Sequence, residues 1–177
     1  PSWPISALAA RRGAHVVSMD MGLNLLAGVA RRCQSQRAVG STLELPFKDG
    51  AFDIVLSTEV LEHTPEPLVG LRELTRVVKP GGHLILTTPG RLWQPVVRAA
   101  SALHLRPYQG RENFLWPERA REEVERQGLK IETFEGFNVL PLFHRVFDPV
   151  NRSLDGLGRI WPSICVNFAI RALRPAA

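Results

Sequence analysis

The first third of the chain alternates between apolar segments with helical spacing and short runs rich in β-branched residues. Residues 5–12 repeat apolar and small side chains at helical spacing, and Gly13 follows as the glycine that ends many helices. Residues 14–20 form a short apolar run that closes on Asp20, which is typical of a buried parallel strand. Residues 23–34 return to helical spacing. The pattern therefore predicts a helix, a strand and a second helix.

The alternation continues through the middle of the chain. A turn at Gly50 precedes a predicted strand at residues 52–57, a helix at residues 67–77 and a strand at residues 83–88. We expect both strands to be buried in the core, and we interpret Lys79-Pro80-Gly81-Gly82 as the turn between the helix and the second strand. Strands and helices that alternate at these lengths predict a doubly wound α/β sheet.

The pattern is less regular after Gly90. The elements predicted there are helices at residues 92–105 and 117–127 and strands at residues 129–135 and 164–173. We find no internal repeat or convincing linker, so we expect a single domain over residues 1–177.

Composition narrows the function classes. Apolar residues make up 45% of the 177 residues and charged residues 22%, which predicts an ordinary globular core. The net charge of +5 comes from scattered arginines, which we interpret mainly as solvated helix faces. A nucleic-acid surface needs clustered basic residues with interleaved aromatics, so we expect no nucleic-acid partner. Attraction to anionic substrates, or peripheral contact with a membrane surface, stays open.

The two cysteines, Cys33 and Cys165, lie far apart and lack the spacing of metal ligands. We therefore expect no disulfide framework and no metal site, as in a reduced cytoplasmic protein. A helix needs a run of about 18 apolar residues to span a bilayer, and the sequence contains no such run.

Polar residues follow the predicted strands where ligands bind in open α/β sheets. Asp20 ends the first strand, Ser41-Thr42 follows a short second one, and Ser57-Thr58-Glu59 follows the next. A carboxylate such as Asp20 can accept hydrogen bonds from both hydroxyls of a ribose. Asp20 can equally form a turn or cap a helix.

The stretch from Leu45 to Gly90 carries a specific series of motifs: Leu-Pro-Phe, Phe-Asp, Glu-His and Arg-Val-Val-Lys-Pro-Gly-Gly. This order resembles the central part of class I S-adenosylmethionine-dependent methyltransferases of the group related to the ubiquinone and menaquinone methylases (methyltransferase type 11). The resemblance is close from Leu8 to Thr88. It implies a Rossmann-like, mostly parallel sheet with an antiparallel last strand, and S-adenosyl-L-methionine as the cofactor.

The resemblance also implies seven cofactor-binding positions: Asp20, Met21, Ser41, Thr42, Leu43, Thr58 and Glu59. Asp20 stands where the family holds the adenosyl ribose, and Met21 stands where an apolar side chain packs on the adenine. Residues 41–43 stand where the adenine edge is recognised, although the family usually has an aspartate in place of Ser41. Thr58 and Glu59 stand beside the methionine moiety.

The candidate catalytic residues are His63 and Glu59, at the rim of the implied methyl-transfer site. An imidazole titrates near neutral pH, so His63 can act as the base that removes the acceptor's proton. Alternatively, His63 holds its loop against the next helix. Glu59 has two possible roles: it contacts the cofactor, or its negative charge stabilises the N-terminus of that helix.

In the resembled family, a strand and a glycine-rich loop precede the first helix, and this chain contains neither. The missing strand would lie between the strand ending at Asp20 and the strand ending at Ser57, so we expect two unpaired inner edges. We accordingly predict that the chain is part of a longer protein or binds the cofactor poorly.

Residues 91–116 and 137–161 are expected to be substrate-side insertions. They contain most of the large aromatics of the C-terminal half: Trp93, Tyr108, Phe114, Trp116, Phe143, Phe147 and Trp161. These side chains suit either a pocket for a small or lipid-like acceptor, such as a prenylated quinone, or the core of a helical cap. The function implied is methyl transfer to an oxygen, carbon or nitrogen atom, and the alternative is a scaffold or partner subunit that no longer binds cofactor.

Overall fold

A helix leads into a two-stranded parallel sheet in the N-terminal unit, residues 1–46. The computed structural model describes residues 3–31, 33, 35–104, 110, 112–139 and 156–176. The elements of this unit are α1 (Trp3–Arg11), β1 (Val17–Asp20), α2 (Leu23–Ala30) and β2 (Gln36–Val39). The predicted order of helix, strand and helix is confirmed.

The first strand is shorter than predicted because the preceding residues complete the end of α1. Gly13 adopts a φ of +86°, and the Ala14 amide donates to the Ala9 carbonyl at 3.1 Å. This arrangement satisfies carbonyls that the last helical turn leaves without partners. The β1 strand then starts at Val17, which lies opposite Gln36 of β2.

The C-terminal unit, residues 47–177, contains a four-stranded mixed sheet. Its elements are β3 (Phe52–Thr58), α3 (Pro67–Arg76), β4 (Val78–Pro89), α4 (Gln94–Ala102), α5 (Pro117–Arg126), β5 (Lys130–Phe137) and β6 (Asn167–Leu173). The strand order is β3-β4-β6-β5. Strands β3 and β4 are parallel, whereas β6 runs antiparallel to both of its neighbours. The expected antiparallel last strand is confirmed.

The turn expected between α3 and the next strand lies inside that strand instead. Phe52 is opposite Val78 and Ile54 is opposite His83, so residues 79–82 bulge out against the single residue Asp53. The bulge brings the Asp53 carbonyl within 2.7 Å of where a Cβ on Gly82 would lie. Glycine is therefore required by close backbone approach, and β4 begins five residues before the predicted start.

The core of this unit lies between the sheet and helices α3 and α5. Its buried side chains include Leu71, Leu74, Leu84, Leu86, Val124, Phe168 and Ile170. Burying each one contributes about 1.5–3 kcal/mol of hydrophobic free energy. The expectation that β3 is wholly core is wrong, because Ile54 and Leu56 are 64% and 42% exposed. Only the face of β3 that carries Val55 and Ser57 is buried.

Within the described part of the chain, β1 pairs only with β2 and β3 only with β4. In the described residues, β1 and β3 therefore each have one edge without a partner strand, as predicted. In the same residues no helix has both the length and the apolar character needed to cross a membrane. No cluster of three or more metal-ligating side chains occurs there either.

Candidate active site

Asp20 and Met21 lie at the carboxyl end of β1, where the sequence places the ribose and adenine contacts. The Asp20 Oδ1 atom accepts a hydrogen bond of 2.7 Å from the Gly22 amide, so the turn-forming role is present. A carboxylate has further acceptor capacity at Oδ2, so this bond does not prevent contact with a ribose. The Met21 side chain is 74% exposed and is open to pack on a flat ligand.

Ser41, Thr42 and Leu43 follow the end of β2. The Gly40 amide donates to the Asp20 carbonyl at 3.3 Å, so the structure brings the ends of both strands of this unit together. The Ser41 Oγ atom accepts from the Leu43 amide at 3.1 Å, which uses one of the hydroxyl's two lone pairs. Ser41 thus offers an adenine amino group less acceptor capacity than the aspartate usual in the resembled family.

Glu59 directly follows β3 and has an unusual backbone. Its φ is +53°, in the left-handed region that side chains other than glycine rarely adopt. The Glu59 amide donates to the Thr87 carbonyl at 2.9 Å, which ties this residue to the end of β4. A non-glycine residue held in this conformation stores strain, and such strain is common at functional sites.

The Glu59 carboxylate is held by two side chains from other strands. Thr87 Oγ1 donates to Oε1 at 3.0 Å, and Asn167 Nδ2 donates to Oε2 at 3.0 Å. Although the residue as a whole is exposed, burial of its carboxyl group raises the pKa of Glu59 to about 7, and the nearby Glu62 adds to the rise. The two hydrogen bonds and His63 act in the opposite direction. The carboxyl group is therefore able to exchange a proton near neutral pH.

Glu62 and His63 belong to the short 3₁₀ helix Leu61–His63 that follows. Glu62 is 3% exposed, and its Oε2 accepts from Thr88 Oγ1 at 2.9 Å. Burial raises the pKa of Glu62 above its ordinary value. Its Oε1 lies 3.7 Å from His63 Nε2, and the His63 side chain is 40% exposed. His63 thus reaches solvent next to a buried carboxyl group.

The loop after this 3₁₀ helix is bound to the segment before α5. The Asn113 amide donates to the Glu62 carbonyl at 2.7 Å, and Asn113 Nδ2 donates to the Thr64 carbonyl at 3.0 Å. These bonds hold the backbone of Glu62 and of the residues after it. The loop-fixing role considered for His63 is therefore carried at least in part by Asn113.

Sequence reasoning missed Thr87, Thr88 and Asn167 as members of this site. Thr87 and Thr88 end β4, so the rule that polar strand ends form sites was sufficient to find them. Asn167 gives no such signal, because it starts an antiparallel strand 108 residues after Glu59.

The aromatic residues of the expected insertions are only partly described. Phe114 is buried, whereas Trp116 and Trp161 are 43% and 58% exposed. Trp93 Nε1 donates to the Ile164 carbonyl at 2.9 Å, so this indole is tied to the chain just before β6. Three further members of the set lie outside the described residues: Tyr108, Phe143 and Phe147. The expected acceptor pocket stays a prediction.

Known proteins share both sequence and fold with this chain. A family model described as a methyltransferase domain matches residues 2–86. A ubiquinone biosynthesis O-methyltransferase of Acinetobacter baylyi is 27% identical over 93% of this chain and 70% of its own length. A ubiquinone biosynthesis O-methyltransferase of Pseudomonas aeruginosa is 32% identical over 78% of this chain and 65% of its own length.

The fold has close counterparts among solved structures. A S-adenosylmethionine-dependent methyltransferase from Mesorhizobium loti superposes with a TM-score of 0.65 over 90% of this chain and 80% of its own. The two sequences are 15% identical, so this likeness concerns the fold alone.

Proposed function

Because the chain belongs to the class I S-adenosylmethionine-dependent methyltransferases, we propose that it transfers a methyl group to a small or lipid-like acceptor with Glu59 and His63 at the reacting end. The observation that carries this proposal is the hydrogen-bonded Glu59 carboxyl group at the carboxyl ends of β3 and β4. Ligands of open α/β sheets bind at this end of the strands.

The residues of each unit fit parts of S-adenosylmethionine. In the N-terminal unit, Asp20 has acceptor capacity for ribose hydroxyls, and Met21 offers an exposed apolar side chain to the adenine. In the C-terminal unit, Thr58 and Glu59 are assigned to the methionine moiety. When bound, this cofactor supplies an electrophilic methyl group attached to a positively charged sulfur.

The chain's own contribution is to orient the acceptor and to take its proton. An acceptor hydroxyl becomes a better nucleophile as its proton passes to a base. A carboxylate with a pKa of about 7 is ionised in half of the molecules at that pH, so Glu59 suits this role. Thr87 and Asn167 hold both carboxylate oxygens and so fix the direction from which the proton is taken.

His63 is the second candidate base. Its imidazole reaches solvent, and its Nε2 atom lies 3.7 Å from Oε1 of Glu62. We assign His63 to relaying the proton from the site to water. Glu59 and His63 then share one proton path, with the carboxylate nearer the carboxyl end of β3.

We propose an oxygen atom as the methyl acceptor. The relatives of Acinetobacter baylyi and Pseudomonas aeruginosa are ubiquinone biosynthesis O-methyltransferases, which supports a hydroxyl on an aromatic ring. The exposed indoles of Trp116 and Trp161 suit a flat apolar ring or a prenyl tail. The cytoplasmic location stays a prediction of the sequence.

Methyl transfer from labelled S-adenosylmethionine to a panel of catechols, phenols and prenylated quinols tests the proposal. We expect product with a hydroxylated aromatic acceptor, together with losses in the Glu59→Gln and His63→Asn variants. Glu44→Gln removes an exposed carboxylate of the N-terminal unit and serves as the matched control. Wild-type activity in the Glu59→Gln variant would refute the assigned base.

The partly engaged Ser41 hydroxyl favours the second candidate, a methyltransferase-like subunit that does not bind the cofactor. Calorimetric titration with S-adenosylmethionine separates the two candidates. If no heat of binding appears for the wild type or for Ser41→Asp, the scaffold role is supported. If Ser41→Asp binds more tightly than the wild type, the adenine assignment is supported.

A further inference from the structure

A cavity lies at the opposite end of the sheet from Glu59. It is open to solvent, has a volume of about 500 Å³ and is lined in part by Asp49, Arg72, Arg76, Gln127 and Arg174, a set that we call the arginine pocket. Gly50 and Val78 also line it, next to the starts of β3 and β4, whereas Glu59 follows the end of β3. A strand of seven residues separates the two ends, which is about 20 Å.

Two arginines of the pocket already have carboxylate partners. Arg76 forms two bonds to Glu73, Nε to Oε1 at 2.8 Å and Nη2 to Oε2 at 2.7 Å, and a third to Asp49 at 2.7 Å. Arg72 Nε donates to Glu123 at 3.0 Å, but half of the Arg72 side chain remains exposed. The Asp49 carboxylate lies on Arg76, where its negative charge is offset.

Arg174 differs from these two arginines. Its Nη2 donates to the Thr75 carbonyl at 2.8 Å near the end of α3, while its Nε is buried and has no acceptor among the described residues. Among the described residues, no carboxylate lies within the 4.0 Å of a salt bridge to Arg174. A buried donor without a partner and a cation without a counter-charge are both costly.

The backbone makes Arg174 a fixed part of the pocket wall. The Gly81 amide donates to the Arg174 carbonyl at 2.8 Å, and the Arg174 amide donates to the Gly82 carbonyl at 2.9 Å. The bulge in β4 is thus tied to the residue that follows β6. Together with the bond from Nη2 to the Thr75 carbonyl, this places the guanidinium before any ligand arrives, which lowers the entropic cost of binding.

We propose that the arginine pocket binds a phosphate group, carried either by a soluble phosphoester or diphosphate or by an anionic lipid headgroup. A phosphate offers several acceptor oxygens to planar guanidinium donors. Its negative charge supplies a counter-ion that the described residues do not provide for Arg174, and the half-exposed Arg72 side chain lines the same cavity. The volume lies within the usual range of small-molecule sites.

Titration of the full chain with inorganic phosphate and with pyrophosphate, followed by calorimetry and by thermal unfolding, tests this site. Sodium chloride at equal ionic strength controls for charge screening. We expect saturable binding, weakened about tenfold or more in Arg174→Ala and less in Arg174→Lys. Arg121→Ala, which removes a half-exposed arginine of α5 outside the pocket, should bind as the wild type does.

If Arg174→Ala does not fold, Arg72→Gln replaces it, with weakened phosphate binding as the expected result. Equal effects of phosphate and chloride, or unchanged affinity in the pocket variants, would overturn the proposal and leave Arg174 as a cap for α3. Vesicles of phosphatidylglycerol, with phosphatidylcholine as the reference, identify the source. If the chain binds phosphatidylglycerol vesicles but not phosphatidylcholine vesicles, and pyrophosphate competes with this binding, the ligand is a lipid headgroup. If the chain binds pyrophosphate but neither kind of vesicle, the ligand is soluble. These readouts do not depend on methyl transfer.

Discussion

The Asn167 side chain donates a 3.0 Å hydrogen bond to Oε2 of Glu59, across 108 residues of sequence. Asn167 is the first residue of β6, and Glu59 follows the last residue of β3. Because β4 lies between β3 and β6 in the sheet, the bond connects residues on opposite sides of β4. This contact places an amide from the last strand in the proposed methyl-transfer site.

Replacing Asn167 with alanine should change the pH dependence of the reaction. The Asn167 amide stabilises the ionised form of Glu59, so its loss raises the pKa of Glu59 above about 7. Since the base must be ionised, the acidic limb of the kcat profile should move to higher pH by about one unit. Gln36→Ala removes an exposed side-chain amide at the start of β2, and the acidic limb of its kcat profile should not move. An unshifted limb in Asn167→Ala would argue against Glu59 as the base.

Replacing Glu59 with glutamine should lower activity and raise stability at alkaline pH. The folded-state pKa of Glu59 is raised from 4.5 to about 7, so the folded protein binds more protons than the unfolded chain between these values. Its contribution to stability is therefore present below about pH 4.5 and is lost as the pH rises through 7. Glutamine stays neutral and avoids this loss.

Thermal unfolding at pH 4 and pH 8 measures this effect of Glu59→Gln. The variant should have the higher Tm at pH 8, and the difference should shrink toward pH 4. Its kcat should fall about 10²-fold or more, as expected for loss of a general base. A variant with lower Tm than the wild type at pH 8 would contradict the raised pKa.

Replacing Glu123 with alanine should weaken the contact between α3 and α5. Glu123 is 3% exposed and receives hydrogen bonds from Arg72 of α3, from Arg126 and from Gln127. We expect a loss of about 2 kcal/mol in the free energy of unfolding, because the hydrogen bonds to the buried carboxylate are removed. The loss is no larger because the arginines can turn toward water once the carboxylate is gone. Denaturant unfolding measures this change in free energy. Glu122→Ala, an exposed neighbour on α5, should cost less than about 0.5 kcal/mol.

Replacing Gly82 with alanine should strain the bulge in β4. The added Cβ would lie 2.7 Å from the Asp53 carbonyl oxygen and 2.9 Å from the Lys79 carbonyl oxygen, and both are backbone atoms. We expect a cost of about 2 kcal/mol in the free energy of unfolding. Gly156→Ala is the matched control, since among the described residues no atom outside its own helix lies within 4 Å of the added Cβ. A Gly82→Ala chain as stable as the control would show that the bulge adjusts freely.

Most helices and strands followed from local pattern. The predicted starts of α2, α3 and α5 agree with the structure, because apolar spacing and an N-terminal proline are properties of neighbouring residues. The strand end at Asp20 and the polar residues that follow the next strand up to Glu59 were found in the same way. The start of β4 was predicted too late, because the bulge at residues 79–82 depends on pairing with β3 rather than on local propensity.

The site was predicted only where its residues follow one another in sequence. The motif that contains Glu59, Glu62 and His63 was sufficient to place them together, since they lie within five residues. Thr87 and Asn167 reach Glu59 only because β4 and β6 are neighbours in the sheet. No periodicity encodes that order of strands.

The sequence alone determined the alternation of helices and strands, the family motif and the acidic residues at strand ends, since each depends on residues a few positions apart. Only the tertiary structure decided the raised pKa of Glu59 and the lack of a carboxylate partner for Arg174 among the described residues. Both depend on which groups surround a side chain and on how much water they displace. Those surroundings are assembled from segments that are distant in sequence, so local pattern does not reveal them.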